Sequence, residues 1–307
     1  MTRVSTAGSY SAVLANIQRA QVRQQQAGEQ VSSQVVATDY KGYARTAETL
    51  TAMRGVQVKV NGLIDQNKAL GAKLEMQATG LSQVSDAAKG ARESIATAVA
   101  AENGDTLMLE LQNYFASAVS GLNTKYAGNY LFSGGKVDTQ PVAATRLSDL
   151  TAAPATADLF SNDTFKANSR LDENTSMQTG MLASEVATPL FDQLKAIQAY
   201  VDTNGPFTGR LTEAQSDFLK STLNGFDTAY NGLTSTEAAN GVMQKRADEA
   251  QTALSDRADM LEGMTGDITD VDLAEAVSKL EQVQLSMQAA AQVFSSLRSS
   301  SLLDILK

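Results

Sequence analysis

The stretch Leu273–Leu297, LAEAVSKLEQVQLSMQAAAQVFSSL, decides the fold. Leu273, Ala276, Leu280, Val283, Met287, Ala290, Phe294 and Leu297 recur at alternating steps of three and four, the a/d repeat of a coiled-coil seam. No Pro or Gly lies between Asp267 and the last residue, so one long helix is predicted there, with an apolar edge that needs a covering helix. Asp267, Asp270 and Asp272 precede it. They lack the Gly and the distant Glu of an EF-hand loop, whereas Asp272 and Glu275 have capping-box spacing, so helix capping accounts for them better than calcium.

Working outward, the strongest heptads run from Arg45 to Ala101. Met53, Val60, Asn67, Leu74, Leu81, Ala88 and Ile95 form one set; Val56, Leu63, Leu70, Gln77, Val84, Ala91 and Ala98 form the other. Asn67 and Gln77 are polar seam positions, expected to disfavour shifted registers. Gly55, Gly62, Gly71, Gly80 and Gly90 recur along the same helix and point to close helix contacts or bends. A weaker stripe of Val13, Ile17, Ala20, Ala27 and Val31, with Gln24 in the gap, predicts an amphipathic helix from about Ser9 to Gln34. The C-terminal seam is therefore expected to be covered either by the Arg45–Ala101 helix or by this N-terminal stripe, of the same or a neighbouring chain.

The rest of the chain divides at punctuation. Ala37–Ala44 reads as a loop, and Asn103, Gly104 and Asp105 end the long helix. Leu107, Leu111, Tyr114, Ala118 and Leu122 begin a helix that turns back, closed by Gly128 and Asn129. Lys136–Ala183, with Pro141, Pro154 and many Asn, Asp, Ser and Thr, predicts turns and short strands. Helical patterning returns at Leu190, Leu194, Ile197 and Val201, breaks at Asn204-Gly205-Pro206, and resumes from Thr212. Asn240, Met243, Ala247, Ala250, Leu254, Arg257, Leu261, Met264 and Ile268 then nearly keep a second heptad. The string Ser133-Gly134-Gly135-Lys136 is no phosphate loop, because Tyr130 and Val137 stand where that motif needs Gly and a hydroxyl.

Composition narrows the chemistry. The 307 residues include no His and no Cys, which removes imidazole acid/base catalysis, thiol nucleophiles, His or thiolate zinc sites and disulfides. A net charge of −9 argues against nucleic acid and anionic membrane surfaces. No apolar run approaches the length of a membrane span, and Met1–Ala20 lacks the apolar region and cleavage site of a secretory signal. Adjacent carboxylates such as Asp172 and Glu173 exist, yet adjacency supplies none of the geometry of a two-carboxylate glycosidase. No enzyme, cofactor or metal site is expected.

The two ends of the chain also carry a resemblance. Arg3-Val4-Ser5-Thr6, Gly28-Glu29-Gln30-Val31-Ser32, Tyr130-Leu131-Phe132-Ser133-Gly134 and Ser299-Ser300-Ser301-Leu302-Leu303-Asp304-Ile305-Leu306 resemble the flagellin superfamily and, within it, the hook-associated proteins of the hook-filament junction. The likeness covers roughly residues 1–135 and 235–307. The usual Ser-Gly-Lys/Arg run with an Asp-Asp pair is replaced here by Ser33–Gly42, in which only the surroundings of Asp39 are kept.

The combined expectation is a mainly α fold: long antiparallel heptad helices built from both chain ends, with an inserted smaller domain of short strands and helices. Residues 1–44 are expected to form an N-terminal assembly helix and loop, 45–135 a helical hairpin of the core, 136–235 a middle domain, and 236–307 the C-terminal core helices. The resemblance implies a structural subunit of the bacterial flagellum joining hook to filament, with its middle domain projecting outward. Its implied partners are other copies of itself, an adjacent hook-associated protein, flagellin and an export chaperone on the C-terminal helix, with no nucleic acid and no membrane insertion. Export to the cell exterior without a cleaved signal peptide is implied as well. The expected subunit interface is Val13, Ile17, Ala20, Ala27, Val31, Leu273, Leu280, Val283, Met287, Phe294, Leu297, Leu302, Leu303 and Leu306. A filament flagellin or a soluble coiled-coil scaffold would use the same heptads.

Overall fold

A computed structural model describes the backbone of residues 3–305 and the side chains of residues 11–296. The elements, in order, are α1 (Arg3–Ser33), α2 (Ala47–Ala101), α3 (Leu107–Leu122), β1 (Lys125–Tyr126), β2 (Asn129–Tyr130), α4 (Leu147–Ala152), β3 (Asn168–Arg170), β4 (Ser176–Gln178), α5 (Ala183–Asn204), α6 (Glu213–Thr269) and α7 (Leu273–Ile305). The fold is mainly α, with long helices from both ends and a small strand-containing insertion, as the heptads and turn signals predict. The chain forms two compact units, Met1–Val60 with Asp256–Lys307, and Asn61–Ser255.

The second unit holds the main core. Every heptad position predicted on α2 from Leu63 to Ala98 is buried, because a strict alternation of three and four keeps one stripe facing inward over many turns. The antiparallel partner over this stretch is α6. Arg92 Nε donates to Asp227 Oδ1 at 2.7 Å, and Asn240 Nδ2 and Gln244 Nε2 both donate to the Leu74 carbonyl, at 2.9 and 3.0 Å. On α6 the buried stripe follows the predicted positions to Leu254, still includes Leu261 and Ile268, and departs from them at Arg257 and Met264. Arg257 and Met264 are exposed, while Ala258 and Thr265 turn inward. Two successive steps of four, Ala250 to Leu254 to Ala258, replace the expected three-and-four alternation, which is a stutter in the heptad.

Helix α3 turns back along α2, as predicted, after the Asn103–Asp105 turn, in which Asp105 N–H donates to Asn103 Oδ1 at 2.9 Å. The backbones of α2 and α3 approach closely at Gly80 and Gly121, where a Cβ on Gly80 would lie 2.7 Å from the Gly121 carbonyl. Phe115, Phe132, Phe191 and Phe226 are fully buried in this core, and Phe191 has Phe115 at 5.2 Å and Phe160 at 5.5 Å between ring centroids. The hairpin β1–β2 turns at Ala127 and Gly128, both with positive φ.

The insertion adds a second hairpin, β3–β4, antiparallel with Ser169 opposite Met177. Leu171 and Met177 from this hairpin pack with Leu70, Leu74 and Ala247 in a separate cluster. Two polar seam residues of α2 reach it: Asn67 Nδ2 donates to the Leu171 carbonyl at 2.7 Å, and Gln77 Nε2 to the Thr179 carbonyl at 3.3 Å. Asn162 Nδ2 donates to Ser184 Oγ at 3.0 Å, and Asn174 lies exposed at the hairpin turn.

Candidate assembly surface

In the first unit the two terminal helices pair with each other. The connections after α1 and before α7 are zipped by backbone hydrogen bonds, Val36 N–H to the Thr269 carbonyl at 2.7 Å and Val271 N–H to the Gln34 carbonyl at 3.0 Å. An isolated antiparallel bridge joins Val35 to Asp270 between them. From that junction α1 and α7 run side by side, antiparallel, in extensive contact.

The pairing uses the predicted stripes. On α7, Ala276 is fully buried and Leu280, Val283, Met287, Ala290 and Phe294 are half-buried, while the other residues from Asp272 to Ser296 are exposed. On α1, Ala27 is buried and Val13, Ile17, Ala20, Gln24 and Val31 are half-buried. Of the two coverings open to the C-terminal seam, the structure shows the N-terminal stripe of the same chain. Ala20, Ala27, Ala276 and Ala290 are the small residues of the two paired stripes.

The residues expected at a subunit interface are therefore placed as follows. Val13, Ile17, Ala20, Ala27 and Val31 meet α7, and Leu280, Val283, Met287 and Phe294 meet α1, within one chain. Leu273 stands exposed at the start of α7. Leu306 lies outside the described residues, and of Leu297, Leu302 and Leu303 only the helical backbone is described. The sequence reading missed a second set, Leu14, Val22, Val277, Leu285 and Val293, which are exposed on the same two helices, Leu285 to 67%. They fall outside the a/d positions and follow no single heptad stripe, so periodicity gives no signal for them. Together they leave an apolar outer surface on a pair whose inner seam is already filled.

The local chemistry holds this junction in shape. Asp272 caps α7, its Oδ1 accepting from Ala274 N–H at 2.9 Å and Glu275 N–H at 3.1 Å, as the spacing predicts. In the loop after α1, Gly42 N–H donates to Asp39 Oδ1 at 2.9 Å and the Tyr43 hydroxyl to the Ala37 carbonyl at 2.6 Å. Gln30 Nε2 reaches forward to the Val36 carbonyl at 2.8 Å. A Cβ on Gly42 would collide with that of Ala37, so the turn needs glycine there. Arg54 stacks over Tyr40, 5.8 Å from the ring centroid, and donates to its hydroxyl at 3.2 Å. A recess of about 360 Å³ beside this loop is lined by polar groups including Gln26, Glu29, Ser33, Thr38 and Asp39.

Among the described residues no three His, Cys, Asp or Glu side chains are grouped to hold a metal ion, and no helix is long and apolar enough to cross a membrane. What the terminal pair offers is a packing surface.

Comparison with known proteins singles out the C-terminal part of the chain. Residues 223–306 match the family described as the bacterial flagellin C-terminal helical region. A solved structure assigned to the flagellar hook-associated proteins of Vibrio parahaemolyticus is similar in fold, with a TM-score of 0.59, 18% identity, and coverage of 73% of this chain and 97% of the other. Bacillus cereus FlgL is similar with a TM-score of 0.54, 14% identity, and coverage of 71% and 99%. A search of curated proteins finds no match. The family match and the shared fold bear out the resemblance to the flagellin superfamily.

Proposed function

We propose that this chain is a structural subunit of the bacterial flagellum that joins hook to filament. The carrying observation is the α1–α7 pair, made from the two chain ends and zipped at Val35 and Asp270, whose C-terminal helix lies inside the region matching the flagellin C-terminal family. A role as a packing element follows from the chemistry on that surface, which presents exposed Leu14, Val22, Leu285 and Val293.

In this reading the inner seam keeps the pair together as one rod. Its exposed residues, with Leu297, Leu302, Leu303 and Leu306 of the tail, contact axial neighbours: other copies, a second hook-associated protein and flagellin. The insertion projects outward. The chain leaves the cell without a cleaved signal peptide, its C-terminal helix covered by an export chaperone until assembly, and it catalyses no reaction.

Deleting the coding sequence tests the role. Cells should then build hooks and release unattached filaments, and a label on this chain should mark the distal end of the hook in electron micrographs. Anchored but shortened filaments would overturn the junction role. They would favour a filament flagellin, the second reading, which the match of residues 223–306 to a flagellin C-terminal region supports.

A further inference from the structure

The β3–β4 hairpin has an open side next to a groove. Thr179 N–H donates to the Ala167 carbonyl and Leu171 N–H to the Thr175 carbonyl, both at 2.9 Å, which places the hydrogen-bonded pairs of this ladder at 167/179, 169/177 and 171/175. The backbone N–H and C=O groups of Ser176 and Gln178 consequently face away from β3. Both residues are exposed, and these outward groups have no hydrogen-bond partner among the described residues. An unpaired edge of this kind is a template for another strand.

Beside the edge runs an open groove of about 540 Å³ between β4 and α6, lined by Ser176, Met177, Gln178, Ala239, Val242, Met243 and Arg246. Its floor is apolar, and Val242 is 54% exposed there. Ala239, with the smallest side chain on that face of α6, leaves room for an incoming chain. Arg246 closes one end and has no carboxylate partner among the described residues.

We propose that the β4 edge receives an extended strand from a second copy of this chain, bonded to the backbone of Ser176 and Gln178, with an apolar side chain on Val242 and Met243 and a carboxylate at Arg246. This rests on the self-assembling role stated above. A copy is the fitting occupant because the chain is acidic, with 34 Asp and Glu against 25 Lys and Arg, so it brings carboxylates to a site whose own charge is a guanidinium. An edge of three residues buries far less than the roughly 1,200–2,000 Å² of a stable complex. The contact therefore does not form dimers in dilute solution and closes only where the terminal helices hold copies side by side, at high effective concentration.

The absence of cysteine makes the test direct. Ser176→Cys carrying a benzophenone is irradiated in dilute solution and again after assembly onto isolated hooks, and the adducts are identified by mass spectrometry. The expected result is a copy-to-copy adduct only in the assembled state, reduced at least tenfold by Arg246→Glu, with at least tenfold slower hydrogen exchange at the Ser176 and Gln178 amides. Assembly with unprotected amides and no copy-to-copy adduct overturns the strand contact and leaves the junction role standing. An adduct to a different protein also overturns it. Failure of the unmodified chain to assemble on hooks overturns the junction role and the strand contact together.

Discussion

Asn67 Nδ2 lies 2.7 Å from the Leu171 carbonyl and 2.9 Å from that of Leu63, so one amide in the α2 seam donates both along its own helix and across to the β3–β4 hairpin. With Gln77 on Thr179, the two polar seam positions hold the insertion on α2. Asn67 Oδ1 and Gln77 Oε1 have no partner and are buried, so each amide stabilises through its donor side alone.

Asn67→Ala should therefore destabilise the protein by about 1–3 kcal/mol, the range for leaving a buried acceptor such as the Leu171 carbonyl without its donor. Urea denaturation would measure this, and exchange at hairpin amides should accelerate more than exchange at the α2–α3 contact. Unchanged hairpin exchange would show that the Leu171 and Met177 side chains alone hold it.

Helix glycines separate into two kinds with opposite expected effects. A Cβ on Gly62 meets nothing within 4 Å, so Gly62→Ala should stabilise by up to about 1 kcal/mol through helix propensity. On Gly90 a Cβ would run into the Tyr114 ring, and Gly90→Ala should destabilise by about 1–3 kcal/mol through overpacking. Thermal melts of the two variants should shift in opposite directions.

Asp163 links the Gly134–Gly135 turn to acid. Its carboxylate accepts from Gly135 N–H at 2.8 Å and Phe165 N–H at 2.9 Å, and these bonds hold its pKa below the ordinary value of 3.8, the first being the larger cause. Because the folded pKa is the lower one, the stabilisation is complete above the ordinary aspartate range and is lost as pH falls through the depressed folded value. Exchange at the Gly135 amide, corrected for intrinsic pH dependence, should lose protection as acid is added. In Asp163→Ala that protection should already be weak at neutral pH.

The terminal pair should open before the rest. Apart from Ala27 and Ala276, its described seam residues are half-buried or, at Leu273, exposed, whereas the Leu81–Ala98 stretch of α2 is buried throughout its seam. Native-state exchange should give α1 and α7 lower opening free energies than α2 and α3. Ala276→Leu, which adds a large side chain at a fully buried site, should cost about 1–3 kcal/mol and loosen this pair alone. Equal protection in all four helices would contradict this order.

How much was legible in the chain depended on the range of the forces involved. The α2 seam could be read residue by residue, since a strict heptad over fourteen positions leaves one stripe for the core. On α6 the same logic failed after Leu254, because helix periodicity does not announce a stutter when Arg257 and Ala258 both stand at plausible steps. The choice of α1 as the cover for α7 depended on spatial proximity set up by the Val35–Asp270 zipper, which no local pattern encodes. The β3–β4 hairpin was visible only as a region of short strands. Its strands are three residues long and polar at five of six positions, so alternation had too little length to show, and its two anchors lie on a helix about a hundred residues away.

The zipper between Val35 and Asp270 also orders events in time. Among the described elements α1 comes first and α7 last, so their contact has the highest sequence separation there, and its loop-closure cost is met only after everything between them exists. During any end-to-end delivery of the chain, whether from a ribosome or through a narrow conduit, the Asn61–Ser255 unit has all its own segments before the terminal rod does. A prematurely truncated chain therefore ends with a folded body and no rod.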